Sequence, residues 1–177
     1  LTQLELVAKH KDKGSLEYLQ DAKILVHYQT LHTEVVKSTM VMFISEMLKN
    51  TIHEEEKNEE LYDYLENTFN WLDSHSDIAN FHLLFLLKLT RHLGFYPEDS
   101  EKNLMYFNLL DGVFQHSKTN VYCIGGGLLN NLKLLLGTKF EALGQVKLSK
   151  PNRAELLELL LNYYQLHIES FKKPKSL

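Results

Sequence analysis

The chain has a single cysteine, Cys123, among its 177 residues. One thiol closes no intrachain disulfide and supplies no thiolate cage for zinc, so a reducing, cytoplasmic setting is expected. No export signal is recognisable, and the longest apolar stretch, Phe81 to Leu89, is broken by His82 and Lys88. That is about half of what a membrane span needs, so no membrane association is expected. Internal repeats and low-complexity segments are also absent. At 20.7 kDa the chain fits one domain, or one domain and a remnant of another, and is long enough to bury a sizeable core.

Familiar catalytic patterns are missing as well. Nine histidines invite a search for a metal site, but there is no His-Glu-x-x-His helix, and His53-Glu54-Glu55-Glu56 lacks a second imidazole one turn on. His82 and His92 stand ten residues apart on one apolar segment, project in different directions, and read as histidines at a bundle edge. The run Cys123-Ile124-Gly125-Gly126-Gly127 looks like a phosphate loop only in being apolar, then glycine-rich; Leu128-Leu129 stands where Lys-Ser/Thr would be required. A tight turn or hinge accounts for it better. Cys123 has no glycine-rich elbow, and no Gly-x-Ser-x-Gly is present. An enzyme would need a site assembled only in space; no cofactor and no metal are expected.

The charge that is present is unevenly spread. Residues 1–117 carry 10 Lys+Arg against 19 Asp+Glu, net −9, and residues 118–177 carry 9 against 4, net +5, which together make the overall −4. An acidic run (Glu54, Glu55, Glu56, Glu59, Glu60) is remote in sequence from a basic set that includes Lys133, Lys139, Lys147, Lys150 and Arg153. Two solvated faces would explain this; so would a basic surface for phosphates or for an acidic peptide.

Residues 2–9 alternate, with Leu4, Leu6 and Ala8 on one side and Gln3, Glu5 and Lys9 on the other. After the polar turn Lys11-Asp12-Lys13-Gly14, the residues Ala22, Ile24, Val26 and Tyr28 alternate on the return, so a hairpin is expected. Two strands alone are marginal in water, and the chain starts at Leu1 in the middle of such a pattern. They read as the last strands of a β domain, with 1–30 as its remnant and 31–177 as a helical domain.

From Thr33 the period changes, and Val35/Val36, Thr39/Met40, Phe43/Ile44 and Met47/Leu48 form one helical stripe. A second helix over about 58–73 places Leu61, Leu65, Phe69 and Leu72 inward, flanked by Tyr62, Tyr64 and Trp71. Asp77 is the expected cap of a third helix from roughly Ile78 to Leu93, stopped by Gly94 with Pro97 beyond; being apolar nearly all round, it should be central. Residues 98–123 lose the helical period, and Met105-Tyr106-Phe107, Val113-Phe114 and Val121-Tyr122 read as short strands or irregular packing. A short helix, Leu128 to Leu136, and a long one from Ser149 and Pro151 to about Phe171 complete a mostly α fold of about five helices behind a β-hairpin.

Lys88 and Arg91, three apart and near Tyr96, would form a positive rim beside an aromatic and aliphatic groove, suited to an extended acidic peptide ending in an aromatic. An ion pair between Arg91 and a carboxylate of the second helix is the competing reading. Tyr163 and Tyr164 offer stacking on bases, or simply core.

The segments NFHLLFLLKLTRHLGFYPE (80–98) and LSKPNRAELLELLLNYYQLHIESFKKPKSL (148–177) resemble RecO, the DNA repair and recombination mediator, in a Bacteroidetes-like form. The earlier helices (35–73) and the opening hairpin also look like that family, so the resemblance spans nearly the whole chain; Leu93, Gly94 and Pro97 are its most specific local element. It implies the end of an N-terminal OB barrel followed by a helical domain. It also implies a nucleoid-associated mediator without covalent chemistry of its own, one that binds the acidic tail of single-strand DNA-binding protein, RecR, and single- and double-stranded DNA, anneals strands and helps load RecA. Within that expectation Lys88, Arg91 and Tyr96 would hold the tail, and Lys133, Lys139 and Arg153 would meet phosphates. Many members carry a four-cysteine zinc site in the stretch matching 98–123; with Cys123 alone there, none is expected. A generic helical protein-interaction module is the alternative.

Overall fold

A computed structural model describes residues 1–9, 18–52, 57–98, 101 and 103–176. The hairpin turn Lys11–Gly14 and the segment His53–Glu56 lie outside the described residues.

Strands β1 (Leu4–Lys9) and β2 (Tyr18–Ile24) pair antiparallel, with Leu6 opposite Ala22 and a bulge between Val7 and Ala8. Val26 and Tyr28, expected to continue the return strand, lie beyond its end. Every residue of both strands is exposed, so the alternation seen in the sequence meets no cover among the described residues.

The hairpin joins the helices at a polar knot. Asp73, near the end of α2 (Glu59–Ser74), accepts from the amides of Gln29 (2.9 Å), Thr30 (2.7 Å) and Leu31 (3.1 Å) and from the Thr30 hydroxyl (2.9 Å). Lys37 of α1 (Val35–Thr51) is almost fully buried and donates to the Thr30 hydroxyl and the Asp73 carbonyl. Burial raises the Asp73 pKa, but the hydrogen bonds from Gln29, Thr30 and Leu31 outweigh it and hold the carboxyl below its ordinary value. In α1 the expected stripe is inward from Phe43 on, whereas Val35 and Val36 in the first turn are exposed. Asn58 caps α2 by accepting from the Leu61 amide. Leu61, Phe69 and Leu72 are buried and Leu65 is half-buried.

Helix α3 (Phe81–His92) is the axle of the molecule. Its Phe81, Leu83, Leu84, Phe85, Leu86, Leu87, Leu89 and Thr90 are buried, and it meets α2, α4 (Gly126–Leu136), α5 (Lys150–His167) and a 3-10 segment, Phe140–Gln145. Its start differs from the sequence expectation. The chain turns through Ile78 and Phe81, the helix opens at Asn80 three residues late, and Asp77 packs against Gly144 instead of capping. The cause is tertiary: the Asn80 side chain donates to the Val146 carbonyl, tying the helix start to the far loop.

Residues 106–125 form a three-stranded antiparallel sheet in the order β4-β3-β5, from β3 (Tyr106–Asn108), β4 (Val113–Gln115) and β5 (Cys123–Gly125). Val121-Tyr122 is not one of the strands; the third strand begins at Cys123. The glycine run is a strand-to-helix turn in which Gly126 takes φ +63°. Ser149 and Pro151 start α5 as expected, and it stops at His167, four residues short of Phe171. Tyr163 and Tyr164 are buried and donate to the Phe95 and Leu86 carbonyls (2.8 Å each), which settles them as core.

Candidate functional site: a cationic groove at the end of α3

The last turn of α3 is closed by Gly94 at φ +83°, with the Phe95 amide bonded to Thr90 O (3.0 Å) and the Gly94 amide to Arg91 O (3.4 Å). These two bonds and the left-handed glycine are a Schellman closure. It folds the chain back along the helix and carries Tyr96 under the cations. The Arg91 guanidinium lies 4.3 Å from the Tyr96 ring centroid, while Lys88 Nζ lies 5.5 Å from it and donates to the Tyr96 hydroxyl at 3.2 Å. Lys88 also reaches the Leu136 carbonyl at 3.5 Å. The sequence-derived trio is therefore one physical unit.

The groove beside it, about 330 Å³, is lined by Tyr64, Lys88, Arg91, His92, Lys139, Phe140 and Glu141. Helix α2 contributes Tyr64, whose hydroxyl donates to the Phe85 carbonyl (2.8 Å) and whose ring stacks on His92 at 4.7 Å and on Phe85 at 5.5 Å. Burial lowers the His92 pKa, with Glu60 raising it and Arg91 lowering it, and the net is downward. Arg91 is exposed and, among the described residues, forms no ion pair with a carboxylate of α2, so the competing reading does not hold. Lys139 is also exposed and, among the described residues, its side chain has no hydrogen-bond or ion-pair partner.

The three residues expected to meet phosphates are not gathered on one surface. Lys139 joins Lys88 and Arg91 in the groove. Lys133 is half-buried, donates to the Leu104 carbonyl (2.8 Å) and sits 5.8 Å from the Phe114 ring centroid. Arg153 lines another hollow together with Lys147, Ser149, Asp77 and Asn80, and donates to the Leu148 carbonyl at 2.7 Å. Sequence reasoning missed Phe140 and Glu141 because they lie on a 3-10 segment with no apolar period to place it. His92, one residue from Arg91, reads from the sequence as a bundle-edge histidine, whereas the structure places it in the groove wall against Tyr64.

Among the described residues, no three His, Cys, Asp or Glu side chains are grouped to hold a metal ion, and no helix is long and apolar enough to cross a membrane.

The arrangement is a groove with cations around an aromatic floor. The family model "Recombination protein O C terminal" matches residues 32–177. The DNA repair protein RecO of Christiangramia forsetii is 56% identical over 177 residues, covering all of this chain and 74% of that protein. The RecO proteins of Flavobacterium johnsoniae (47%, 100% and 74% covered) and Phocaeicola vulgatus (30% over 184 residues, 100% and 75%) are also similar. No solved structure matches. The resemblance first carried by residues 80–98 and 148–177 thus holds across the whole chain, which belongs to the RecO family of DNA repair proteins.

Proposed function

We propose that the chain is the partner-binding part of a recombination mediator that performs no covalent chemistry. Its groove takes the acidic, aromatic-ended tail of single-strand DNA-binding protein, and the protein joins RecR and DNA to promote annealing and RecA loading on the nucleoid. The observation that carries this reading is the pair of exposed cations, Arg91 seated on the Tyr96 ring and Lys139, flanking the aromatic floor of Tyr64 and Phe140. Carboxylates would meet the cations while an aromatic ring covers the floor, and charge-assisted bonds at a partly dry surface outlast their fully solvated equivalents. Tyr96 holds Lys88 and Arg91 in place from behind. Phosphate contact then falls to Arg153, with Lys147 beside it, and to Lys133 where its bond to Leu104 opens; Lys139 joins the peptide's acids. The hairpin of residues 1–30 is the end of an OB-type barrel, and 31–177 folds separately from it.

The test is anisotropy of a labelled acidic tail peptide titrated with the chain at two salt concentrations. The expected outcome is sequence-selective binding that weakens with salt and drops on the order of tenfold in Arg91→Ala, the loss of one charge-assisted contact. Selective binding indifferent to Arg91→Ala would move the site. No binding by the folded chain would favour a generic helical interaction module.

A further inference from the structure

One residue of the groove has the wrong sign for the partner just assigned. Glu141 is exposed, lines the groove with Lys88, Arg91 and Lys139, and forms no hydrogen bond or ion pair with them. Its carboxylate therefore lines the groove without a direct side-chain partner among the described residues. A carboxylate that is neither buried nor paired adds little to folding, so its effect falls on whatever enters the groove.

We propose that Glu141 sets the selectivity of the groove. It admits a chain end whose negative charge is gathered on one side of an aromatic residue, and it turns away a polyanion charged at every unit, such as single-stranded nucleic acid. This rests on the groove being the acidic-peptide site. A peptide can place its carboxylates against Arg91 and Lys139, lay its ring on Tyr64 and Phe140, and present uncharged backbone to Glu141. A nucleic-acid strand carries one phosphate per nucleotide and cannot follow the same path without bringing a charge beside that carboxylate. Both ligands are drawn by the same cations, and the aromatic floor suits a base as well as a phenyl ring. Attraction alone would not separate them; a repulsive element does. Lys139, just before the 3-10 segment, and Glu141, in its first turn, thus act as opposite halves of a charge filter.

The experiment compares the chain with Glu141→Gln and Glu141→Lys, using anisotropy of a labelled acidic, aromatic-ended peptide and a labelled oligothymidylate at low and moderate salt. Removing one like charge at close range should tighten the oligonucleotide about tenfold at low salt in Glu141→Gln, with peptide affinity moving less than about twofold. Glu141→Lys should widen the change in the same direction, and moderate salt should shrink it. If both ligands tighten by the same factor, or neither moves, Glu141 contributes only to the general field and the proposal is overturned. If the peptide fails to bind the parent chain, or ignores Arg91→Ala, the site itself is wrongly placed and the proposal falls with it. Peptide binding that Arg91→Ala weakens, alongside an unselective Glu141→Gln, removes the filter alone.

Discussion

His82 is the residue whose environment is most at odds with its chemistry. It follows the start of α3, packs edge-on against Phe43 at 6.3 Å, and its Nδ1 is buried with no hydrogen-bond partner. Burial, and secondarily Arg153, push its pKa down to about 4 from an ordinary 6.5. The folded state therefore binds fewer protons than the unfolded chain between these values, and stability rises with pH across that window. The contribution is complete above about pH 6.5 and is lost as pH falls toward 4. Denaturant midpoints measured from pH 7 to pH 4 should fall, and His82→Leu should flatten that slope. The loss should be on the order of 3 kcal/mol at its largest, from the size of the shift. An unchanged slope in the variant would assign the pH dependence to other groups. Asp73 and Glu46, whose pKa values are lowered, lose their contributions only at more acid pH.

At the scale of elements, two left-handed glycines look alike in sequence and are not equivalent in the fold. Gly94 (φ +83°) ends α3 with open space where a Cβ would stand, whereas a Cβ on Gly112 (φ +70°) would lie 2.7 Å from the Tyr163 hydroxyl oxygen. That hydroxyl donates to the Phe95 carbonyl, so it cannot swing aside without leaving a buried acceptor unpaired. Gly94→Ala should cost about 1 kcal/mol from backbone strain alone, and Gly112→Ala at least about twice that, read as shifts in chemical-denaturation midpoint. Equal losses would show that the Tyr163 contact relaxes freely. The same scale shows what could be read in advance. The position of α3 as the axle followed from its apolar residues on all sides, and its stop from Gly94 and Pro97. Its start did not, because the Asn80 side chain is committed to Val146, sixty-six residues away. The small sheet was only half legible: Phe107 pairs with both Phe114 and Ile124, and three-residue strands carry too few alternations to announce themselves.

Taken as a whole, the described residues share one hydrophobic core, running from Leu31 to Phe171, with no residue of β1 or β2 in it. A chain shortened to begin at His27, which keeps the Gln29–Leu31 backbone held by Asp73, should retain the helical circular-dichroism signal and a cooperative melt. A shortened chain that unfolds would instead make the hairpin part of the same folding unit. The uneven charge seen in the sequence resolves differently from a simple basic face. Lys133 is tied to a backbone carbonyl, Arg153 faces a separate hollow, and Lys139 is brought from the basic segment to Lys88 and Arg91 of the acidic one.

The sequence by itself determined the helices with long apolar periods, the stop of α3, the core role of its residues, and the trio Lys88, Arg91 and Tyr96, because each depends on neighbours within a few turns of the chain. Family membership was legible for the same reason, in runs of contiguous residues. Only the tertiary structure decided which distant charges share a groove, since Lys139 and Glu141 reach α3 through a 3-10 segment placed by packing against Trp71 and Phe81 rather than by any local period.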